Sequence, residues 1–449
     1  MENTIKIPGK ELKVLRNVDV CVIGAGSAGV AAAASAARNG ARTLLIERLS
    51  FPGGTTTNGM VCMWHLSDGR KQVIHGVADE LIDIYNEIEP DTMKIVPGFP
   101  DNMGETTDKS HEFRPEIMKC AMERFLVESK TEILYYTDVY DVQVNDGKIE
   151  ALLITTKNGP AAVKAKFFID CTGDGDVAYL AGAPCEYGRD EDGRVQGMSM
   201  VFDIGNIDKE RALKIRGEEH DTIIENMKNE VKQGKLPAFG PVSFVAYAQG
   251  IFANMNPASG NPTDLFDLTD CTIRTRSRIF EYLSYFQKNV PGFENATNNI
   301  SANAIGIRES RRVMADYVFN KEDVISERRF DDAVGHGFWC IDIHDPKGSG
   351  STTWQNTGHT RFWLKSGHNY QIPFSILKPI GVDNLFTAGR CVSATHEGIA
   401  SLRLQSHIFV MGQAVGTAAA LCVKQGIGRD DINIPELQSV LRSQGAYIE

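Results

Sequence analysis

The sequence predicts an α/β fold that carries an inserted α+β domain, and three observations predict it. An apolar run, Val18 to Ile23, leads directly into Gly24-Ala25-Gly26-Ser27-Ala28-Gly29 and an alanine-rich stretch of helical character. Segments of period two fill Ile133 to Ile169 and end on a second glycine turn, Cys171-Thr172-Gly173-Asp174. The C-terminal stretch returns to the first pattern, with Leu385-Phe-Thr-Ala-Gly389-Arg390 followed by small residues through Cys422. The expected division is therefore a Rossmann-like domain in two parts, 1–185 and 372–449, with 186–371 inserted between them.

Taken in order, Val18 to Ile23 reads as a buried strand, and Gly24 permits the tight turn that follows it. Gly26 lets backbone approach a pyrophosphate, and Gly29 lets helix and strand pack closely. Unpaired N–H groups at the start of that helix, around Ser27 and Ala28, favour phosphate. Thr43 to Ile46 is the second strand. It ends at Glu47, where a carboxylate can accept hydrogen bonds from adenosine ribose hydroxyls. The loop from Phe51 to Gly59 follows directly, and its Gly53, Gly54 and Thr55 are expected to face the cofactor. Residues 73–88 have helical spacing, 90–112 read as an excursion, and Pro115 opens a helix through Val127. Asn145-Asp146-Gly147 between alternating segments is a hairpin signal. Within 186–371 the pattern is less regular. Gly348 to Thr353 is rich in Gly, Ser and Thr, while Met198, Met200, Trp339, Trp354 and Trp363 read as core or pocket lining.

Composition narrows the function. With 449 residues the chain is too long for one ordinary core. A net charge of −11 argues against nucleic acid and anionic membrane as partners. No apolar segment precedes Val18, and Ile408 to Val423, interrupted by Gly412, Gln413, Gly416 and Thr417, reads as too short and too polar to span a bilayer. Nine cysteines without a CxxC pair fit reduced thiols and a cytoplasmic location. No metal site is expected, because His396-Glu397 lacks the second histidine of a zinc-binding helix.

The three glycine turns, in this order and spacing, resemble those of FAD-dependent oxidoreductases of the glutathione-reductase-like fold. Within that group the chain resembles a family carrying the segment seen here as Gly306-Ile-Arg308-Glu309-Ser310-Arg311-Arg312. It is similar to that family also at Ile341-Asp-Ile-His344, Tyr370-Gln-Ile-Pro373 and Ala388-Gly-Arg-Cys-Val-Ser-Ala-Thr395-His396. The resemblance implies FAD as cofactor, with Arg48 beside the adenosine and Val139 supplying backbone to the adenine. It implies that Thr172, Gly173, Asp174, Gly389 and Arg390 approach the pyrophosphate and ribityl chain. Many flavoproteins of this fold have Asp where Arg390 stands. The histidine-bearing loop of covalent flavoproteins is replaced here by Gly54-Thr55-Thr56, which implies noncovalent FAD.

Flavin chemistry needs a proton donor or acceptor across the substrate and positive charge near the ring. Arg308, His344, His396 and Arg403 are placed by motif to serve, Arg403 one turn into the final helix, which is expected to start near Gly398. Three of them have bland alternatives: an ion pair of Arg308 with Glu309 or an acid nearby, a turn-capping His344, a surface ion pair for Arg403. The leading expectation is hydride transfer between a small organic substrate and flavin N5. The alternatives are a flavin monooxygenase and an electron-transfer subunit, similar to the flavin-bearing part of heterodisulfide reductases, with an iron-sulfur partner. An external electron acceptor or donor and a homo-oligomer are both compatible with the sequence.

Overall fold

A computed structural model describes residues 9, 11–97, 109–240, 242, 251–348, 362 and 364–449. Trp354, Trp363 and most of the 348–353 stretch lie outside the described residues, as does part of 90–112.

The central sheet has seven strands. Its order is Glu132–Leu134, Thr43–Ile46, Val14–Ile23, Gly159–Asp170, Lys148–Thr156, Asp138–Asn145. The first four are parallel to one another, and the last two form an antiparallel hairpin. The turn of that hairpin places Asp146 at φ 45° and Gly147 at φ 72°, as the Asn-Asp-Gly signal requires. The seventh strand, Leu385–Thr387, pairs in parallel with the C-terminal end of Gly159–Asp170. Ile23 and Thr387 both lie opposite Asp170 in register. The three glycine turns that follow these strands therefore leave the sheet at one edge, the carboxyl edge, where α/β sheets bind ligands.

One face of the sheet is covered by the helix Ser27–Arg38, itself packed on Gln405–Gln425. The contact is close because both helices offer small residues. A Cβ on Gly412 would sit 2.3 Å from Ala28 O, and one on Gly416 would sit 2.2 Å from Ala32 O. Gln405–Gln425 is the one helix among the described residues long and apolar enough to cross a membrane, and 89% of its apolar window is buried in the molecule. The expectation that this stretch is too short and too polar to span was wrong on length and composition. Gly412, Gly416 and Thr417 are instead what lets it pack as a core helix.

Three further expectations are corrected. The 90–112 excursion contains the strands Lys94–Pro97 and Lys109–Glu112, which form a small antiparallel sheet with Met63–His65. The final small-residue helix does not run unbroken from Gly398: a short helix, His396–Leu402, ends at Arg403, and Gln405–Gln425 starts after Leu404 at ψ 135°. Nor does that helix end the chain, since Ile434–Ser443 follows.

Between residues 186 and 371 the fold is α+β. The strands Phe202–Gly205, Ile251–Ala253 and Thr297–Ser301 form one sheet, flanked by the helix Leu265–Asn289. The side chain of Asp264 caps that helix by accepting from the N–H groups of Phe266 and Asp267. Met198 and Met200 are fully buried in a core continuous with that of the helices Ser27–Arg38 and Gln405–Gln425. Trp339 is half-buried, its ring 4.8 Å from that of His65.

Candidate active site

The glycine turn divides its three glycines between two tasks. Gly24 adopts φ 92°, and a Cβ there would lie 2.5 Å from Cys171 O; one on Gly29 would lie 1.8 Å from Gly24 O. Both positions are closed by protein. Gly26 is different, because nothing lies within 4 Å of the place its Cβ would take. This open cradle stands at the start of the helix Ser27–Arg38, whose first-turn N–H groups have no partner within the helix. Gly54 flanks it, since a Cβ there would lie 3.0 Å from Gly26 Cα, and Gly53 N donates to Ala25 O at 2.7 Å. Ser27 Oγ meets Thr56 Oγ1 at 3.1 Å, while Thr55 is exposed. The residues present fit a dinucleotide phosphate.

Glu47 is buried at the end of its strand, and its carboxylate accepts from Ala25 N at 2.6 Å and Leu49 N at 2.9 Å. One oxygen thus helps fix the glycine turn and the other the chain just after the strand, roles that the sequence did not suggest. Arg48 is exposed. Val139 lies opposite Ile154, just before a bulge.

At the second turn Asp170 is fully buried, accepting from Thr172 N at 3.0 Å, Thr172 Oγ1 at 2.7 Å and Ala178 N at 2.9 Å. Gly173, at φ 83°, lies beneath the guanidinium of Arg390. Arg390 donates to Asp174 Oδ1 and to Ser310 Oγ, each at 2.6 Å. Burial pushes the Asp174 carboxyl up, but Arg390 more than offsets it and holds the group below the usual carboxylate range. The cation that replaces the common acid after Gly389 is therefore largely neutralised by the chain itself.

The structure brings together Arg308, His344 and Arg403, and joins the last two through two residues whose role the sequence reading missed, Asp342 and Gln196. His344 Nε2 lies 3.2 Å from Asp342 Oδ2, and Arg403 Nη2 donates to Asp342 O at 2.8 Å. Gln196 Oε1 accepts from His344 N and from Arg403 Nη2, both at 3.3 Å. Arg308 donates to Gly197 O at 2.6 Å, Ser199 Oγ at 2.8 Å and Asn254 Oδ1 at 3.3 Å. Arg403 is not one turn into the long helix as expected. It is the C-cap of His396–Leu402, at the break between two helices, which turns its side chain toward Asp342.

Electrostatics in this cluster favour a neutral imidazole. Burial first, then the charge of Arg308, push His344 down to about 4 against the opposing pull of Asp342. Burial and neighbouring Arg403 push Arg308 down to about 9, which leaves it charged at neutral pH. A cleft opens beside them, lined by Arg308, His344, Ser199, Asn254, Asn256 and Asp345, among others.

His396 sits one step away. Its Nδ1 lies 2.7 Å from Glu309 Oε2 but outside hydrogen-bond alignment. Glu309 is fully buried, pairs with Arg312 and accepts from Gln196 N at 3.1 Å. Glu309 thus does not pair with Arg308, while Asp342, another acid nearby, acts on Arg308 through its field. Arg312 pairs within the heptapeptide, whereas the described partners of Arg308, Gly197, Ser199 and Asn254, lie far from it in sequence.

The family described as FAD dependent oxidoreductase matches residues 19–441. The chain belongs to this family. This FAD-dependent oxidoreductase is an FAD-carrying enzyme, in line with the open cradle at Gly26. Comparison with the curated proteins finds no match. Among solved structures it is similar to a geranylgeranyl bacteriochlorophyll reductase-like protein from Thermoplasma acidophilum. The two are 14% identical over 95% of this chain and 83% of the other, with a TM-score of 0.41. It is similar to anhydrotetracycline hydroxylase from Streptomyces rimosus, at 14% identity over 95% of this chain and 65% of the hydroxylase, TM-score 0.48. The p-nitrophenol 4-monooxygenase of Pseudomonas putida DLL-E4 is 11% identical over 95% of this chain and 84% of the other, TM-score 0.46.

Proposed function

We propose that this FAD-dependent oxidoreductase moves a hydride between a small organic substrate and N5 of noncovalently held FAD, with Arg308, His344 and Arg403 acting on the substrate. The observation that carries this reading is the cleft at Arg308 and His344, where a charged guanidinium and a neutral imidazole share one wall. The glutathione-reductase-like arrangement is supported by the parallel strands that bring three glycine turns to one edge, with the antiparallel hairpin beyond them. In this arrangement Gly24 to Gly29 and Glu47 hold the adenosine and pyrophosphate end, with Arg48, Gly53, Gly54, Thr55 and Val139 around it. Thr172 to Asp174, Gly389 and Arg390 follow the chain toward the ring, and residues 186–371 supply the substrate side.

The side chains have distinct tasks in this reading. With Nε2 donating to Asp342, the lone pair of His344 is on Nδ1, so that the imidazole takes the substrate proton there. Asp342 orients the ring and is itself held by Arg403. Arg308, fixed by three neutral acceptors, keeps its charge available to the cleft. His396, Glu309 and Arg312 form a buried support behind Gln196 rather than a wall of the cleft. A cytoplasmic location and an external electron acceptor or donor go with this reading.

Anaerobic mixing of the purified yellow protein with a metabolite panel tests it. Bleaching of the flavin by a small molecule, with the oxidised product recovered, is the expected result. Bleaching only by a partner protein would favour the electron-transfer reading, and oxygen uptake stoichiometric with a hydroxylated product would favour a monooxygenase. Acid precipitation should leave all the flavin in the supernatant, and flavin in the pellet would overturn noncovalent binding.

A further inference from the structure

Arg308 is a half-buried guanidinium whose described partners, Gly197 O, Ser199 Oγ and Asn254 Oδ1, are all neutral. The neighbouring arginines of the same segment are neutralised, Arg311 by Asp176 at 2.8 Å and Arg312 by Glu309. Arg403 is paired with Asp342 at 3.4 Å. Asp345 also lines the cleft, where its carboxylate accepts from Lys347 N at 3.0 Å. Arg308 is the cation on the described cleft wall, and none of its described hydrogen bonds is to a carboxylate. A buried or half-buried charge without a counterion is costly, and a ligand that supplies the counterion recovers that cost.

A second observation points to a ligand at the same place. Asn256 is fully buried and lines the cleft. Its Nδ2 donates to Thr275 O, which fixes the amide orientation, and its Oδ1 has no partner among the described residues. An acceptor left unmatched on the wall of a cleft is matched when the ligand brings a hydroxyl or amino hydrogen.

We infer that the cleft at Arg308 takes a substrate bearing a single carboxylate, gripped by the Arg308 guanidinium, with a hydroxyl or amino group of the same molecule turned to Asn256. This rests on the proposed function and names its substrate class. Arginine suits the task because its planar fork meets both oxygens of a carboxylate at once, and charge-assisted bonds of this kind are about twice as strong as neutral ones.

The experiment uses FAD-loaded protein and isothermal calorimetry, a binding readout that needs no turnover. The probes are lactate and mandelate, the amides lactamide and mandelamide, and the deoxy acids propionate and phenylacetate. Expected is binding of the hydroxy acids at least about tenfold tighter than that of their amides, a difference worth about 1.4 kcal/mol. Arg308→Gln should bring acid and amide to within about twofold of each other, and Arg308→Lys, which keeps the charge but loses the fork, should fall between. Asn256→Leu should remove the advantage of the hydroxy acids over the deoxy acids. Retention of the flavin spectrum in each variant shows that it has folded. Equal affinity for acids and amides in the native protein, a preference that survives Arg308→Gln, or no binding of any probe up to tens of millimolar overturns the inference. If calorimetry shows carboxylate binding while no metabolite bleaches the flavin, the site stands and the redox reading fails. If an uncharged compound bleaches the flavin while no carboxylate binds, the redox reading stands and the carboxylate site fails.

Discussion

The proton budget of the site turns on His344, an imidazole held neutral by its surroundings. Its folded value of about 4 lies below the ordinary 6.5, so the base form persists well into the acid range. Flavin reduction should therefore show no loss through pH 6.5 on account of this group, and should fall only as the pH drops through about 4, where protonation removes the lone pair. A rate that falls tenfold per unit below pH 6.5, and loses that dependence in His344→Gln, would show that the imidazole is not so held. His344→Gln itself should slow reduction by roughly a hundredfold to ten-thousandfold with FAD retained. At Gly26 the prediction concerns space: Gly26→Val fills the only open position of the turn, and the purified variant should carry no flavin. The sequence showed which residue types would matter here but not their pairing. Arg308, Arg311 and Arg312 are neighbours in one heptapeptide, yet the described hydrogen bonds of Arg308 are all to neutral groups, while the nearby carboxylates, Asp176 and Glu309, pair with the other two. Gln196 and Asp342 were invisible for the same reason, since neither type is unusual until the fold brings it beside an imidazole.

At the scale of elements, the hydrophobic period carried most of the information. The strand ending at Ile23, the helix Val77–Ile88, the helix from Pro115 and the hairpin at Asn145 to Gly147 all follow the apolar spacing and turn residues that predicted them. What failed is the break at Leu402-Arg-Leu-Gln405, because it holds neither the glycine nor the proline that would mark a helix end. Two helices result where one was expected, and Arg403 gains its position from the break. The packing of Gln405–Gln425 against Ser27–Arg38 is the most sensitive contact of this layer. Gly416→Leu would drive a side chain into Ala32 O, at a cost of typically about 1–3 kcal/mol or more for overpacking. Because Ser27–Arg38 begins at the cradle, the same variant should bind FAD more weakly. Thermal unfolding and flavin titration together check this; a stable variant with native FAD affinity would mean that the two helices shift without disturbing the turn.

For the whole molecule, the proposed nucleotide end is assembled from segments far apart in the chain: Gly24 to Gly29, Thr172 to Asp174, and Leu385 to Arg390. A chain ending at residue 371 would keep the first two but lose the strand beside Asp170, the helix against Ala28 and Ala32, and the partner of Asp174. It should retain no FAD after gel filtration, even if soluble, and retention would show that the N-terminal half closes the cradle alone. During synthesis the same arrangement imposes an order. At roughly 5–20 residues per second, about 20 seconds or more separate the emergence of Gly26 from that of Gly416. Throughout that interval the alanine-rich face of Ser27–Arg38 has no permanent cover and depends on chaperones or transient contacts. Cofactor capture is then a late event that reports translation to completion, so a cell short of FAD would accumulate finished but open chains rather than arrested ones.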